Sequence, residues 1–340
     1  MDINKLKKIL AERKQPKFRL KQILKAIYQD GSSSFLEIKE LPKDLADALN
    51  GEVEILPFQL EKILKSENSF KALLKLKDGN FIETVLISPK PGNWSACISS
   101  QVGCPLGCKF CATGQLGLKR NLTAEEISSQ VLFWRQYLKR MRIGDVSNIV
   151  YMGMGEPFLN WDNVSRSLQM LIDKDLIGFG SRSISVSTAG VCEGITKLAK
   201  EFPQVNLAIS LHFADNKKRE QFMPINKKHN IFDLKESIQD YLKTTGRKVF
   251  IEYLMLDGIN DSKKDVDDLI KFIKSMKDSY LLHVNLIRYN LTSELLKPSS
   301  KNKTQEFKKY LEDNGINVTI RKSLGEEIKA ACGQLAGAGR

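Results

Sequence analysis

The sequence has no long hydrophobic run. None of its apolar stretches approaches the ~20 residues that a membrane helix needs. The first residues, MDINKLKKILAERK, are basic but carry neither an apolar segment nor a small-residue cleavage site. No secretory leader and no membrane partner are therefore expected, and the chain is expected to be cytoplasmic. Internal repeats and low-complexity segments are also missing. The chain has no acidic excess, since 40 Asp and Glu face 53 Lys and Arg for a formal charge of +13. Hydrophobic residues make up 42% and charged residues 27%, an ordinary globular balance. With 340 residues there is enough chain for one large domain and a small appendage.

Part of the positive charge lies at the start, where Lys5, Lys7, Lys8, Arg13, Lys14, Lys17, Arg19, Lys21 and Lys25 outnumber Asp2 and Glu12. A basic surface suits a polyanion such as RNA through counterion release, or is simply a solvated face. The segment KFRLKQILKAIYQD puts Leu20, Ile23, Leu24 and Ile27 on one helical face. A second short helix is expected around Leu41–Leu49, entered at Pro42. ALLKLKDGNFIETVLI then alternates with period two around Asp78-Gly79-Asn80, a hairpin signature, and KPGNW (90–94) reads as a linker.

From about residue 95, strands alternate with helices. Strand candidates are 95–102, 147–152, 183–187, 205–211, 248–255 and 281–287, with a seventh at 317–321. The clearest helix is TAEEISSQVLFWRQYLKRM, which opens with Thr123 and Glu126 in capping-box spacing. Serial β/α units make a parallel sheet, curled or open, with its active site at the C-terminal strand ends. The expected class is α/β. The expected layout is a helical region at 1–50, a hairpin extension at 51–94, a barrel at 95–322 and a tail at 323–340.

The six cysteines occupy positions 97, 104, 108, 111, 192 and 332. In a reducing compartment, structural disulfides are not expected and clustered cysteines suggest metal. Cys104-Pro-Leu-Gly-Cys108-Lys-Phe-Cys111 follows the first barrel strand with C-x3-C-x2-C spacing, so three thiolates can converge in one loop. Three cysteines on a four-iron cubane leave one iron open to another ligand. The alternative is structural zinc, but zinc sites usually show paired C-x2-C knuckles and no second pair exists. Tyr151-Met-Gly-Met-Gly-Glu156-Pro157 ends the next strand, where two glycines permit close backbone approach and Glu156 can accept from an ammonium. Ser187, Ser210 and Asn290 also lie at strand ends. Each of these alone is an ordinary terminus, but their shared location is that of a barrel site. Cys332 sits in the short glycine-rich tail AACGQLAG, a poor place for core packing. Cys97, on the first barrel strand, can reach the same cavity mouth.

The C-x3-C-x2-C signature resembles that of the radical S-adenosylmethionine (SAM) superfamily, with Phe110 as the aromatic residue commonly found before the third cysteine. Across nearly the whole chain, CISSQVGCPLGCKFCATGQLGLKRNLTAEEI, YMGMGEPFLN, SISVSTAG, FPQVNLAISLH, FMPIN, LDGINDS, HVNLIRYN and AACGQLAG resemble the RlmN/Cfr family of RNA methyltransferases. The resemblance implies a partial (β/α)6 radical SAM barrel with a small helical N-terminal domain and an added hairpin. It implies a 4Fe–4S cluster on Cys104, Cys108 and Cys111 and two SAM molecules per turnover. Cys332 would take a methyl group from one SAM, and a deoxyadenosyl radical from the other would activate it for addition to an adenine ring. Cys97 would release the adduct and form a transient disulfide with Cys332, and Glu83 would accept the ring proton. Without the resemblance, Glu83 reads as an exposed strand residue. Gly155, Glu156, Ser187, Ser210, Leu211, His212 and Asn290 would contact SAM, although His212 has a simpler reading as a hydrogen-bonded structural histidine. Cys192 matches nothing and reads as packing.

The implied partners are 23S rRNA, tRNA and an external electron donor such as flavodoxin. The family has two branches, RlmN methylating C2 of adenine and Cfr methylating C8. EPFLN and AACGQLAG resemble the first, and Arg288-Tyr289 is closer to the second. Leu291 and SLGEEIK depart from the usual patterns. The commoner housekeeping activity, RlmN, is favoured. A non-enzymatic metal-cluster RNA-binding protein, or a radical SAM enzyme with another substrate, are the alternatives.

Overall fold

The helical start expected from the sequence is present in the structure, a computed structural model that describes residues 1–336. Helix α1 (Ile3–Glu12) is capped by Asp2, whose carboxylate accepts from Lys5 N at 2.9 Å, and it buries Leu6, Ile9 and Leu10. Helix α2 (Phe18–Leu24) runs on into a wider π-type turn at Lys25–Gln29. Helix α3 (Lys43–Glu52) enters after Pro42. Lys5, Lys7, Lys8, Arg13, Lys14, Lys17, Lys21 and Lys25 stay exposed, so the basic character of this region is a surface property.

Four strands follow: β1 (Phe58–Lys65), β2 (Ser69–Leu76), β3 (Phe81–Lys90) and β4 (Asn93–Cys97), each antiparallel to the next. The expected hairpin is β2–β3, turning at Gly79 with φ +81°. Strand β1 had no clear signal, because Leu60, Ile63 and Leu64 are spaced as on a helix; it is an edge strand whose residues are mostly exposed. The segment 90–94 is not a linker. Lys90 pairs with Asn93 across a turn in which Gly92 has φ +81°, so the hairpin extension is hydrogen-bonded directly into the barrel sheet. Pro and Gly signal a chain reversal equally well in a linker and in a tight turn, and only the pairing tells them apart.

The first barrel strand is interrupted. After β4 the chain leaves the sheet at Ile98–Ser100 and resumes as β5 (Gln101–Gly103), which pairs with β6 (Leu118–Asn121) in a separate two-stranded ribbon. A side chain satisfies the broken stretch. Gln130 accepts from Ser99 N at 2.8 Å and donates to Ser99 O at 2.9 Å. Between β5 and β6 lies the one-turn helix α4 (Ala112–Gln115). Then come α5 (Ala124–Met141), β7 (Val146–Tyr151), α6 (Trp161–Ile172), β8 (Ile184–Thr188), α7 (Cys192–Glu201) and β9 (Asn206–Ser210). The chain ends through α8 (Asn216–Phe222), α9 (Ile231–Thr245), β10 (Val249–Met255), α10 (Lys263–Lys274), β11 (Leu282–Arg288), α11 (Lys301–Asp313) and β12 (Val318–Arg321). The sheet order is β1-β2-β3-β4-β7-β8-β9-β10-β11-β12, and every pair from β4–β7 onward is parallel. Strands β4, β7, β8, β9, β10 and β11 are the six barrel strands. Helix α5 carries the expected capping box, with Thr123 Oγ1 accepting from Glu126 N at 3.2 Å and Glu126 accepting from Thr123 N at 2.9 Å. Among the described residues no helix is long and apolar enough to cross a membrane.

Candidate active site

The cysteine loop is fixed by its backbone before any ligand enters. Cys104 N donates to Gly117 O at 3.0 Å and Cys111 N to Cys108 O at 3.1 Å. Lys109 N donates to Phe222 O at 3.0 Å, which ties the loop to the end of α8. Cys104 and Cys108 are buried and Cys111 is half-buried. All three line one cavity together with Gly155, Glu156, Ser187, Ser210, His212 and Cys332. Burial pushes the Cys104 thiol up to about 12 and Cys108 well above its ordinary value. Thiols in such surroundings become thiolates when a metal supplies the compensating charge. Among the described residues no group of three His, Cys, Asp or Glu side chains is arranged for a single metal ion.

The glycines of the second loop are required by contact. A Cβ on Gly153 would stand 2.7 Å from the backbone of Ile98, and one on Gly155, at φ +101°, would stand 2.5 Å from Gln101 Cβ. The loop can therefore lie against β5 only without side chains. Glu156, 3% exposed, accepts from Phe158 N at 3.1 Å and from Ala189 N at 2.7 Å. Burial outweighs these bonds and raises its carboxyl to about 7. Ser187 and Ser210 bring their hydroxyls within 3.5 Å of each other across β8 and β9.

His212 joins the two sequence readings. It sits at φ +57°, and its Nδ1 accepts from Leu254 N at 3.2 Å, which assigns the proton to Nε2. It also lines the cavity, with the Phe110 ring edge-on at 5.0 Å. Burial, then the charge of Arg219, lowers the imidazole to about 3, so it is neutral. Leu211 is fully buried and does not line the cavity. Asn290 donates from Nδ2 to Cys332 O at 3.2 Å, and its buried Oδ1 has no partner. Asn290 does not line this cavity but the adjoining one, where an orphaned buried acceptor beside Cys111 and Cys332 fits a polar ligand.

A second cavity adjoins the first and is lined by Cys97, Cys111, Asn290, Arg321 and Cys332. Cys97 is held by its carbonyl, which accepts from Thr84 Oγ1 at 2.8 Å, and Thr84 in turn accepts from Trp134 Nε1 at 3.0 Å. Burial, then the nearby Cys332, pushes the Cys97 thiol up to about 12. Arg321 opposes that shift and is held by Glu252 at 3.2 Å. Both thiols are free. Cys332 is exposed, and its chain segment is tied down by neighbours. Ala112 N donates to Gly333 O at 2.8 Å, Thr113 Oγ1 to Leu335 O at 2.5 Å and Lys71 Nζ to Lys329 O at 3.0 Å.

Glu83 is not an exposed strand residue. It is 3% exposed, pairs with the buried Lys71 at 2.9 Å and accepts from Ala336 N at 2.7 Å, lining neither cavity. Cys192 is half-buried at the start of α7 with its Sγ 3.7 Å from Gly190 O. Sequence reasoning missed Lys71, Glu252 and Arg321. The position of Arg321, at the end of the seventh strand, was the available signal. Lys71 gave none, since alternation alone does not say that a lysine turns inward.

Residues 98–273 match the model of the radical SAM superfamily. The chain is 42% identical to a probable dual-specificity RNA methyltransferase RlmN of Syntrophomonas wolfei, over 98% of this chain and 95% of that protein. It is 40% identical to the ribosomal RNA large subunit methyltransferase Cfr of Bacillus velezensis, again over 98% and 95%. A crystal structure of a radical SAM methyltransferase from Sphaerobacter thermophilus superposes with a TM-score of 0.92 at 35% identity, covering 99% of this chain and 98% of that one.

Proposed function

The chain belongs to the radical SAM superfamily and, within it, to the RlmN/Cfr RNA methyltransferases, and on that premise we propose that it methylates C2 of an adenosine in 23S rRNA near the peptidyl transferase centre, and an anticodon-adjacent adenosine in tRNA. The observation that carries the proposal is the position of Cys332. It lines both the cavity of the three clustered cysteines and the cavity of Cys97.

Cys104, Cys108 and Cys111 would hold a 4Fe–4S cluster. Such a cluster would supply the electron for cleavage of SAM to a deoxyadenosyl radical. Gly155 lets the loop close against Gln101 and so sets Glu156 beside the cavity, where its carboxylate would accept from the SAM ammonium. Ser187, Ser210, the His212 Nε2–H and the orphaned Asn290 Oδ1 supply hydrogen bonds for the rest of the molecule. Leu211 acts as the buried strand end that sets Ser210 and His212. Cys332 carries the methyl group toward the base, and Cys97, anchored by Thr84 and Trp134, attacks the Cys332 sulfur from the second cavity, forming an S–S bond as the bond from Cys332 to the base's new carbon breaks and that carbon takes up a proton to leave as methyl. Arg321 lines both cavities and opposes the upward shift of the Cys97 thiol. Glu83 can take the ring proton only after Ala336 leaves its Oε2, so proton transfer is coupled to withdrawal of the tail. The exposed lysines of α1–α3 form a surface for the RNA backbone, and the target base must be unstacked to reach the cavity. Residues 1–50, 51–94, 95–322 and 323–340 divide these tasks, the last partly outside the described residues.

The test is mass spectrometry of the C-terminal peptide from active, SAM-supplied enzyme, together with mapping of the methylated base in treated 23S rRNA. S-methylated Cys332 and 2-methyladenosine are expected. An unmodified Cys332 would remove the mechanism. An 8-methyladenosine product would move the chain to the Cfr branch, which Arg288-Tyr289 also resembles.

A further inference from the structure

One buried charge has no task in this chemistry. Arg219, on α8, is 0% exposed. Its Nε donates to Leu211 O at 3.3 Å, its Nη1 to Asn226 Oδ1 at 3.0 Å and its Nη2 to Ala189 O at 2.5 Å. All three acceptors are neutral. A guanidinium taken wholly out of water without a counter-charge is strongly unfavourable, because neutral dipoles replace only part of its hydration. The fold nevertheless builds a place for it. Gly190 has φ +108°, and a Cβ there would stand 3.2 Å from Nη2. Asn226, itself buried, is pinned through its Nδ2 to Asn216 O at 3.2 Å and Asn216 Oδ1 at 3.1 Å.

The side chains that can become anions and act on Arg219 are the thiols of Cys108 and Cys192. Cys192 is a poor counter-ion, since burial holds its thiol above the ordinary value and Asp233 and Glu193 add to the shift. Cys108 is different. Under the proposed function it is a thiolate on iron. The same peptide that accepts from Arg219 through Ala189 O donates through Ala189 N to Glu156. The end of α8 also accepts, through Phe222 O, from Lys109 N of the cluster loop at 3.0 Å, so Arg219 stands behind the cluster loop and the SAM-binding carboxylate together.

We propose that Arg219 is the fixed counter-charge of the iron–sulfur cluster, a positioning residue that raises the cluster's reduction potential. The inference rests on the reading that Cys104, Cys108 and Cys111 hold a 4Fe–4S cluster. With three thiolates, a cubane of core charge 2+ carries net 1−, and taking up one electron makes it 2−. A cation held in the low-dielectric interior favours the more negative state, so it eases that electron in.

The experiment is a mediated redox titration of the reconstituted protein with dithionite as electron donor, following the reduced cluster by electron paramagnetic resonance. Three variants are compared at equal iron content. Arg219→Met removes the charge, Asn226→Asp leaves the guanidinium in place but neutralises it, and Arg219→Lys keeps a cation. The Met and Asp variants are expected to show about a tenfold smaller reduced-to-oxidised ratio at a fixed poise, equivalent to about 59 mV for a one-electron couple. The Lys variant should stay close to the unsubstituted protein. Should the Met variant fail to fold, the Asp variant decides. An unchanged potential in any folded, iron-loaded Met or Asp variant overturns the proposal, as does a Lys variant shifted as far as the Met variant. Unsubstituted protein that binds no cluster would instead overturn the reading on which the proposal rests.

Discussion

The two halves of the site are built by opposite means. The cluster loop and the Glu156 loop sit on strand ends, with buried backbone hydrogen bonds and glycines that admit no side chain. Among the described residues, the tail that brings Cys332 has little regular structure beyond a short 3-10 turn at Glu326–Ile328 and is held by single bonds to Lys71, Glu83, Thr113, Ala112 and Asn290. A radical source must be fixed, because a misplaced radical reacts with whatever is nearest. A methyl carrier must meet a donor and then an acceptor, so a rigid mount would defeat it. The contrast says that precision here belongs to the barrel, and that delivery belongs to a segment fastened at a few replaceable points.

The sharpest way to break that comparison is to remove the carrier and leave the source. Cys332→Ala is expected to abolish RNA methylation while SAM cleavage to 5′-deoxyadenosine continues. Chromatography of the SAM products against the methylated RNA measures both. Loss of SAM cleavage as well would mean that the tail is part of the radical source.

Next in size is Cys97→Ala. With no thiol in the second cavity to release the product, each enzyme should stop after one addition, with RNA covalently attached through Cys332. A denaturing gel with labelled RNA shows the adduct. Multiple turnover without adduct would assign release to another group.

The buried Lys71–Glu83 pair tests how the tail is fastened. Lys71→Met leaves the buried Glu83 carboxylate without its Lys71 counter-charge, which costs about 3–5 kcal/mol of stability for a pair broken on one side. Chemical denaturation measures it. Replacing both, Lys71→Met with Glu83→Leu, should recover most of that stability but not turnover, because the proposed proton acceptor is gone and Lys329 and Ala336 stay unfastened. Recovery of both would reduce the pair to packing.

The same contrast separates what the sequence made legible from what it hid. Period-two and period-3.6 patterns, the capping box at Thr123 and the strand-end positions of Glu156, Ser187 and Ser210 are local, and the corresponding elements appear with most ends shifted by a residue or two, although the helix expected at 41–49 runs on to Glu52 and the strand expected at 95–102 stops at Cys97. The break at Ile98–Ser100 was hidden, because it depends on Gln130, thirty-one residues away from Ser99 in sequence. The inward turn of Glu83 was hidden for the same reason. Its partners are Lys71 on the adjacent strand and Ala336 in the tail, at separations no periodicity reports. Asn290 could be placed at a strand end, but not its bond to Cys332 O.

The smallest expected effect bears on the rigid half alone. Burial raises the Glu156 carboxyl to about 7, above the ordinary carboxylate range. In the ligand-free protein the folded state therefore keeps a proton that the unfolded state has released, so this group's contribution to stability falls as pH rises from the ordinary carboxylate range to about 7. Binding of the SAM ammonium needs the carboxylate and has the opposite slope. SAM affinity should weaken by up to tenfold per unit as pH drops below about 7 and level off above it. Calorimetry on the iron-loaded protein measures this. Glu156→Gln should flatten the profile, since its amide does not titrate. A Cys332→Ala protein should keep the full slope, because the tail is not what holds SAM's amino group. If it lost the slope, the separation between source and carrier would fail where it is most finely drawn.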